Sequence, residues 1–193
     1  MRRRTFDALL TVGGLIVATV LVAAGGLLMW AHNFVSDQVT TQLSAQQIYF
    51  PKAGDEGLKD PKVGPYISQY AGQKLTTGAQ AQAYADHYIA VHIEEMTGGK
   101  TYSELSTASR ANPDDEKLAG LVATTFKGET LRGLLLNAYA FWQMGQIALY
   151  GAIAAFVGAA LMALLSILGM VHLRRVPAEQ EVRLGAGVRT ATA

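Results

Sequence analysis

The chain contains no cysteine. Disulfides, thiol nucleophiles and thiolate-held metals are excluded together, so any folded region must hold itself by packing. Charge is missing from two long stretches: no Asp, Glu, Lys or Arg occurs from Ala8 to Ala31 or from Ile147 to Val171. Proton relays and ion pathways through a membrane announce themselves by such residues, so a two-span transporter is disfavoured. No basic patch with interleaved aromatics appears, which argues against nucleic acid as a partner. No Gly-x-Ser-x-Gly elbow is present, and no triad-like order of serine, histidine and acid can be read. Proline is scarce, and none of the five lies between Pro113 and Pro177.

What is present is apolar length. Each uncharged stretch can cross a hydrocarbon layer of about 30 Å. The first could be read as a secretory signal with Val22-Ala-Ala24 as its cleavage site. Its apolar run continues past that site through Trp30, beyond the roughly 7–15 residues of a signal's apolar region. An uncleaved anchor is the expectation. Arg2, Arg3 and Arg4 precede this run, and Arg174, Arg175, Arg183 and Arg189 follow the second. By the positive-inside rule both termini are cytoplasmic, in a multi-pass protein of the plasma membrane. Trp30 and Trp142 stand where interfacial anchors belong. The expected division is therefore a cytoplasmic segment 1–7, a span 8–31, an extracytoplasmic domain 32–146, a span 147–171 and a disordered cytoplasmic tail 172–193.

Small residues recur at helical spacing within both spans. Gly14, Ala18 and Gly25 mark one face of the first; Ala152, Ala155 and Ala159 mark one face of the second. Such stripes let backbones approach closely in lipid, where packing must drive association. They predict a two-helix hairpin within one chain, with small surface left for another subunit.

Between the spans the signals are helical. Val35, Val39 and Leu43 recur every fourth residue and carry the first helix outward. Ile48 to Pro51 reads as a short extended segment, and Lys52 to Pro65 as an irregular loop. Thr77 and Gln80 form a capping box, and Gly98-Gly99 terminates the helix they open. Its expected apolar stripe is Ala81, Ala85, Ile89 and Met96, with His92 inside it and Ile93 on the flank. Thr101 and Glu104 open a second helix by a second capping box. Asn112-Pro113 reads as N-cap and N1 of a third, whose inner face is Leu118, Leu121, Val122 and Phe126. Gly128 permits a bend before the final helix starts at Glu129, with Leu131, Leu135, Ala138 and Trp142 on one stripe.

Two constellations suggest chemistry. His87, His92, Glu94 and Glu95 supply the ligand types of a non-haem iron centre. On a regular helix, however, His87 and His92 stand about 140° apart and cannot face one ion. His92 is read instead as a core histidine whose ring nitrogens are satisfied by neighbours. Gly98-Gly-Lys-Thr101 has the look of a phosphate-binding loop, but the full pattern is absent and it follows a helix rather than a strand. A glycine C-cap followed by a threonine N-cap explains those residues, with Lys100 neutralising a helix C-terminus.

Tyr84-Ala-Asp-His-Tyr, His92, Gly98-Gly-Lys-Thr-Tyr-Ser-Glu-Leu105 and the segment Phe126 to Leu136 together resemble a family of two-span membrane proteins of high-GC Gram-positive bacteria. Its pattern is an N-terminal span, a small helical outer domain with a G-G-K-T-Y-x-E-L-like segment, and a C-terminal span. The stretch Lys52–Pro65 is longer than in the shorter forms of that family. Some members carry an aromatic-ring-opening dioxygenase label, which implies an iron site that the regular-helix placement of His87 and His92 does not support.

The resulting expectation is an all-α membrane protein, two transmembrane helices with a small helical extracytoplasmic domain between them. No catalytic or metal residues and no cofactor are assigned; His92, Gly98, Gly99, Lys100, Thr101 and Tyr102 are structural or contact candidates. The expected partners are the lipid bilayer and a membrane protein or second copy. The expected role is non-enzymatic: an accessory or scaffolding subunit of a membrane assembly. The alternatives are a small metal-dependent enzyme centred on His92 and an extracytoplasmic ligand sensor that needs a partner for output.

Overall fold

A computed structural model describes residues 3–175 and Pro177. Residues 1–2 and most of the expected disordered tail, 176 and 178–193, lie outside these residues. The described residues are mostly helical and form no β-strand. The six α-helices are α1 (Arg3–Ala45), α2 (Gly64–Ile67), α3 (Gly78–Tyr84), α4 (Ala90–Thr97), α5 (Tyr102–Ala111) and α6 (Glu116–Arg175). Helices α1 and α6 are long and apolar enough to cross a membrane. The described residues divide into two compact units, one of residues 3–30 with 148–175 and the other of residues 31–147.

In the first unit the early part of α1 packs along the late part of α6. The contact is made by small and weakly polar residues. Thr11, Ala18, Ala152, Ala159 and Ser166 are buried, and Ala155 is half-buried. A methyl group added at Gly14 would stand 2.5 Å from Ser166 Oγ, and one at Gly25 would stand 2.9 Å from the Phe156 ring. Close approach of two backbones requires both glycines. The large side chains point the other way: Leu9, Ile16, Val20 and Leu27 on α1, and Leu161, Leu165 and Leu168 on α6, are all exposed.

The second unit is built in the opposite sense. Val39 and Leu43 of α1, Phe50, Val63, Ile67 and Leu75 of the connecting segments, and Leu135 of α6 are buried together. Ala81 and Ala85 bring the α3 backbone onto this core, and Leu131, Ala138 and Trp142 pack around it. Gly78 lies against the Trp142 side chain so closely that any Cβ would overlap it. Trp142, read from sequence as an interfacial anchor, is thereby engaged in this core. The extended reading of Ile48–Pro51 matches an antiparallel bridge between Tyr49 and Lys74. Phe50 N–H donates to Gln73 O and Leu75 N–H to Ile48 O, each at 2.9 Å.

The stretch Lys52–Pro65 is a series of tight turns. Asp55 accepts the Lys52 amide at 2.7 Å and Asp60 accepts the Lys62 amide at 2.6 Å. These side chains stand in for backbone partners. Val63 and Ile67 then drop into the core.

The join between the second and third predicted helices differs from expectation. Asn112 ends α5, donating from Nδ2 to Ala108 O at 3.0 Å, and starts nothing. Asp115 is the N-cap that opens α6, accepting the Leu118 amide at 3.0 Å. An Asn-Pro pair fits either role, and Asp115 offers the stronger first-turn charge. Helix α6 then runs unbroken through Gly128, where a bend was expected. A Cβ there would meet Ile93 Cδ1 at 2.9 Å, so this glycine serves close packing. Thr125 is buried in place of the expected Phe126, which is exposed.

Candidate functional site

Of the residues singled out from sequence, those around His92 are organised by one irregular turn. Ala85–Ile89 forms a single π-helical turn between α3 and α4, with Ala90 N–H donating to Ala85 O. Such turns accommodate one extra residue and recur at functional positions. Because the turn is wide, residues four apart keep returning to the same side: Ala81, Ala85, Ile89, Ile93 and Thr97 are all buried. Met96, placed in the stripe by regular-helix geometry, is exposed, and Ile93, placed on the flank, is in the core. A uniform 100° per residue does not hold across this turn.

The same turn aims its polar side chains outward onto specific partners. His87 stacks on Tyr66 with ring centroids 3.7 Å apart and planes 5° from parallel. Asp86 pairs with Arg132 of α6 at 3.2 Å, and Arg132 also reaches Glu129 at 3.5 Å. Farther along, Lys62 pairs with Glu94 at 3.1 Å, tying the turn-rich segment to α4. His92 is half-buried, its Nδ1 2.7 Å from the Tyr88 carbonyl. A carbonyl only accepts, so Nδ1 carries the proton and donates. The His92 ring also lies 4.4 Å from that of Tyr88.

Tyr88 continues a row of rings. Tyr84 stands 4.8 Å from it, and Phe50 meets Tyr84 edge-on at 5.3 Å. Tyr70 closes the row 5.1 Å from Phe50. Burial, reinforced by the neighbouring Tyr88 phenol, pushes the Tyr84 hydroxyl up to about 12. Tyr84 is thus held neutral across the physiological range. Among the described residues no three His, Asp or Glu side chains converge.

The Gly98–Tyr102 segment is a helix stop followed by a helix start. Gly98 and Gly99 have φ of 60° and 80°, a region that an L side chain rarely adopts. Both amides turn back to Glu94 O, and Lys100 N–H reaches Thr97 O at 3.3 Å. These amides close α4 and are not presented to an anion. Thr101 and Glu104 complete their capping box: Thr101 N–H donates to Glu104 Oε2 at 2.8 Å, and Glu104 N–H to Thr101 Oγ1 at 3.3 Å. The Thr101 amide, followed by its hydroxyl, holds the Glu104 carboxyl below the usual carboxylate range. Tyr102 rests on the Phe126 ring, 5.6 Å away.

Sequence reasoning passed over a groove in the second unit. It lies between the later turns of α1 and the middle of α6 and encloses about 460 Å³. Val35, Val39, Leu43 and Ala138 form its floor. Gln38 and Gln42 on α1 and Gln46 just past its end rim it on one side, while Leu134, Asn137 and Phe141 rim it on α6. No lining residue is charged. The recurrence of glutamine at every fourth position was the available signal.

No protein-family model, no curated protein and no solved structure matches the chain.

Proposed function

We propose that this is a non-enzymatic integral membrane protein of the cell envelope, an accessory or scaffolding subunit of a larger membrane assembly. Its two spans are 8–31 within α1 and 147–171 within α6, both termini are cytoplasmic, and residues 32–146 form an extracytoplasmic domain. The observation that carries the membrane reading is the arrangement of side-chain size in the first unit. Small residues are buried between the two helices and the large aliphatic ones face outward. In water that order exposes too much apolar surface; in hydrocarbon it is the stable one, because lipid solvates leucine and packing favours close backbones. The arginines flanking both apolar stretches support the orientation.

The scaffolding role follows from what the domain offers. Its ionisable side chains around the π turn are committed to one another, as in Asp86–Arg132 and Lys62–Glu94. His92 Nδ1 is committed to a backbone carbonyl. What is left open is contact surface, including the uncharged groove. The resemblance to two-span proteins with a GGKTYxEL-like segment agrees with this architecture.

The test uses the absence of native cysteine. Ser103→Cys, on the exposed start of α5, reacts with an impermeant maleimide in intact cells if the domain is extracytoplasmic. Reaction only after lysis would reverse the topology. Purification in mild detergent should then bring down other membrane proteins or further copies of the chain. A chain isolated reproducibly alone and monomeric would end the scaffolding role.

A further inference from the structure

We infer that the groove between α1 and α6 is the contact face of a parallel, two-fold symmetric dimer, with a second copy of this chain as its occupant. The inference rests on the two-span reading, because a shared membrane inserts both copies in the same sense. The proposed symmetry axis runs along the α1–α6 pair of residues 31–147.

The geometry within residues 31–147 suits that axis. Here α1 and α6 are antiparallel, and their register is fixed at one level. His32 Nδ1 lies 2.8 Å from Gly145 O, and the Val35 side chain packs against the same glycine. Counting along both helices from that level puts Gln38 beside Phe141 and Gln42 beside Asn137, on opposite rims. A two-fold axis parallel to the groove carries the α1 rim of one copy onto the α6 rim of the other. Gln42 then meets Asn137 of the second copy, and Asn137 meets its Gln42, at the same height.

Carboxamides suit this encounter because each offers a donor and an acceptor, so one unlike pair satisfies both partners twice over. Gln38, Gln42, Gln46 and Asn137 are exposed, and their side chains make no hydrogen bond to any described residue. The absence of charge matters as much. A charge on either rim would be buried against a carboxamide or an apolar ridge of the other copy and lose its hydration without a counter-ion. Leu134 and Phe141, both more than half exposed, supply apolar ridges toward the partner's α1. The result is a four-helix arrangement of two α1–α6 pairs.

The experiment uses two full-length chains with different affinity tags, Gln42→Cys on one and Asn137→Cys on the other, co-expressed in native membranes. Mild oxidation should give a disulfide-linked pair that carries both tags. Thr40→Cys, on the far side of α1 from Gln42, should give about tenfold less of it when combined with Asn137→Cys. Gln42→Glu places an acid at both symmetric contacts and should weaken self-association about tenfold, read by tag-to-tag co-purification. It sits at an exposed position and should leave the helical circular dichroism signal unchanged. Equal cross-linking from positions 40 and 42 overturns the face assignment. A monomer that co-purifies with a different protein overturns the dimer while leaving the scaffolding role intact. A dimer found only in the soluble fraction would refute the membrane reading and keep the interface. A monomer carrying lipid in the groove refutes the inference outright.

Discussion

Residues 3–30 with 148–175 and residues 31–147 use the same helix type and bury opposite things. The first unit hides Thr11, Ala18, Ala152, Ala159 and Ser166 and turns leucine and valine outward; the second hides Leu43, Ile67, Leu75 and Leu135. The contrast matches the two solvents of the proposed reading, water for the second unit and hydrocarbon for the first. Water drives large apolar side chains inward, because each buried one contributes roughly 1.5–3 kcal/mol. Hydrocarbon provides no such drive, and only close packing distinguishes a helix neighbour from lipid. One helix, α6, follows both rules along its length.

The sharpest way to break this comparison is to delete leucine side chains in both units. Leu135→Ala, fully buried, should cost about 2–5 kcal/mol in the thermal unfolding of residues 31–147. Leu165→Ala, exposed in its unit, should stay within about 0.5 kcal/mol. Equal costs would mean that both leucines pack against protein.

The converse substitution sharpens the difference. Ala152→Leu should be tolerated by hydropathy yet destabilise the helix pair by about 1–3 kcal/mol through overpacking. Its readout is loss of cross-linking between cysteines placed at Leu21 and Gly158, which pack against each other.

Smaller effects isolate water-facing devices of the second unit. Thr101→Ala removes the cap of α5 and should cost about 1 kcal/mol. Glu104 has a lowered carboxyl pKa in the fold, so its contribution is present above its unfolded value and is lost as pH falls through the folded one. The stability gap between wild type and Thr101→Ala should therefore narrow in acid. Tyr84 gives the smallest signal. Its hydroxyl is raised from 10.0 to about 12, so the stability it contributes is whole below 10 and fades as pH climbs toward 12. Ultraviolet titration should show one late tyrosine, absent in Tyr84→Phe.

Local chemistry was legible in the sequence. Both capping boxes, the Gly98-Gly99 stop and the outward continuation of α1 through Val39 and Leu43 depend on residues within one turn of each other. The placements that depend on distant packing were not legible. Nothing near Gly128 says that Ile93 will press against it, and Asn112-Pro113 carries the same residues whether it ends or begins a helix. Met96 and Ile93 exchanged places because no local pattern declares a π turn. The groove's glutamines were visible as a spacing, but only the register of α1 against α6 sets Gln42 opposite Asn137.

That wide turn also bears on how the chain tolerates changes of length. It holds one residue more than a regular helix needs, between Ala85 and Ile89. A relative lacking one residue there closes into a continuous α-helix and leaves Ile93, Thr97 and the glycine stop in nearly their present phase against α6. A single-residue gap at that point should therefore need no compensating change at Gly128, where Ile93 packs.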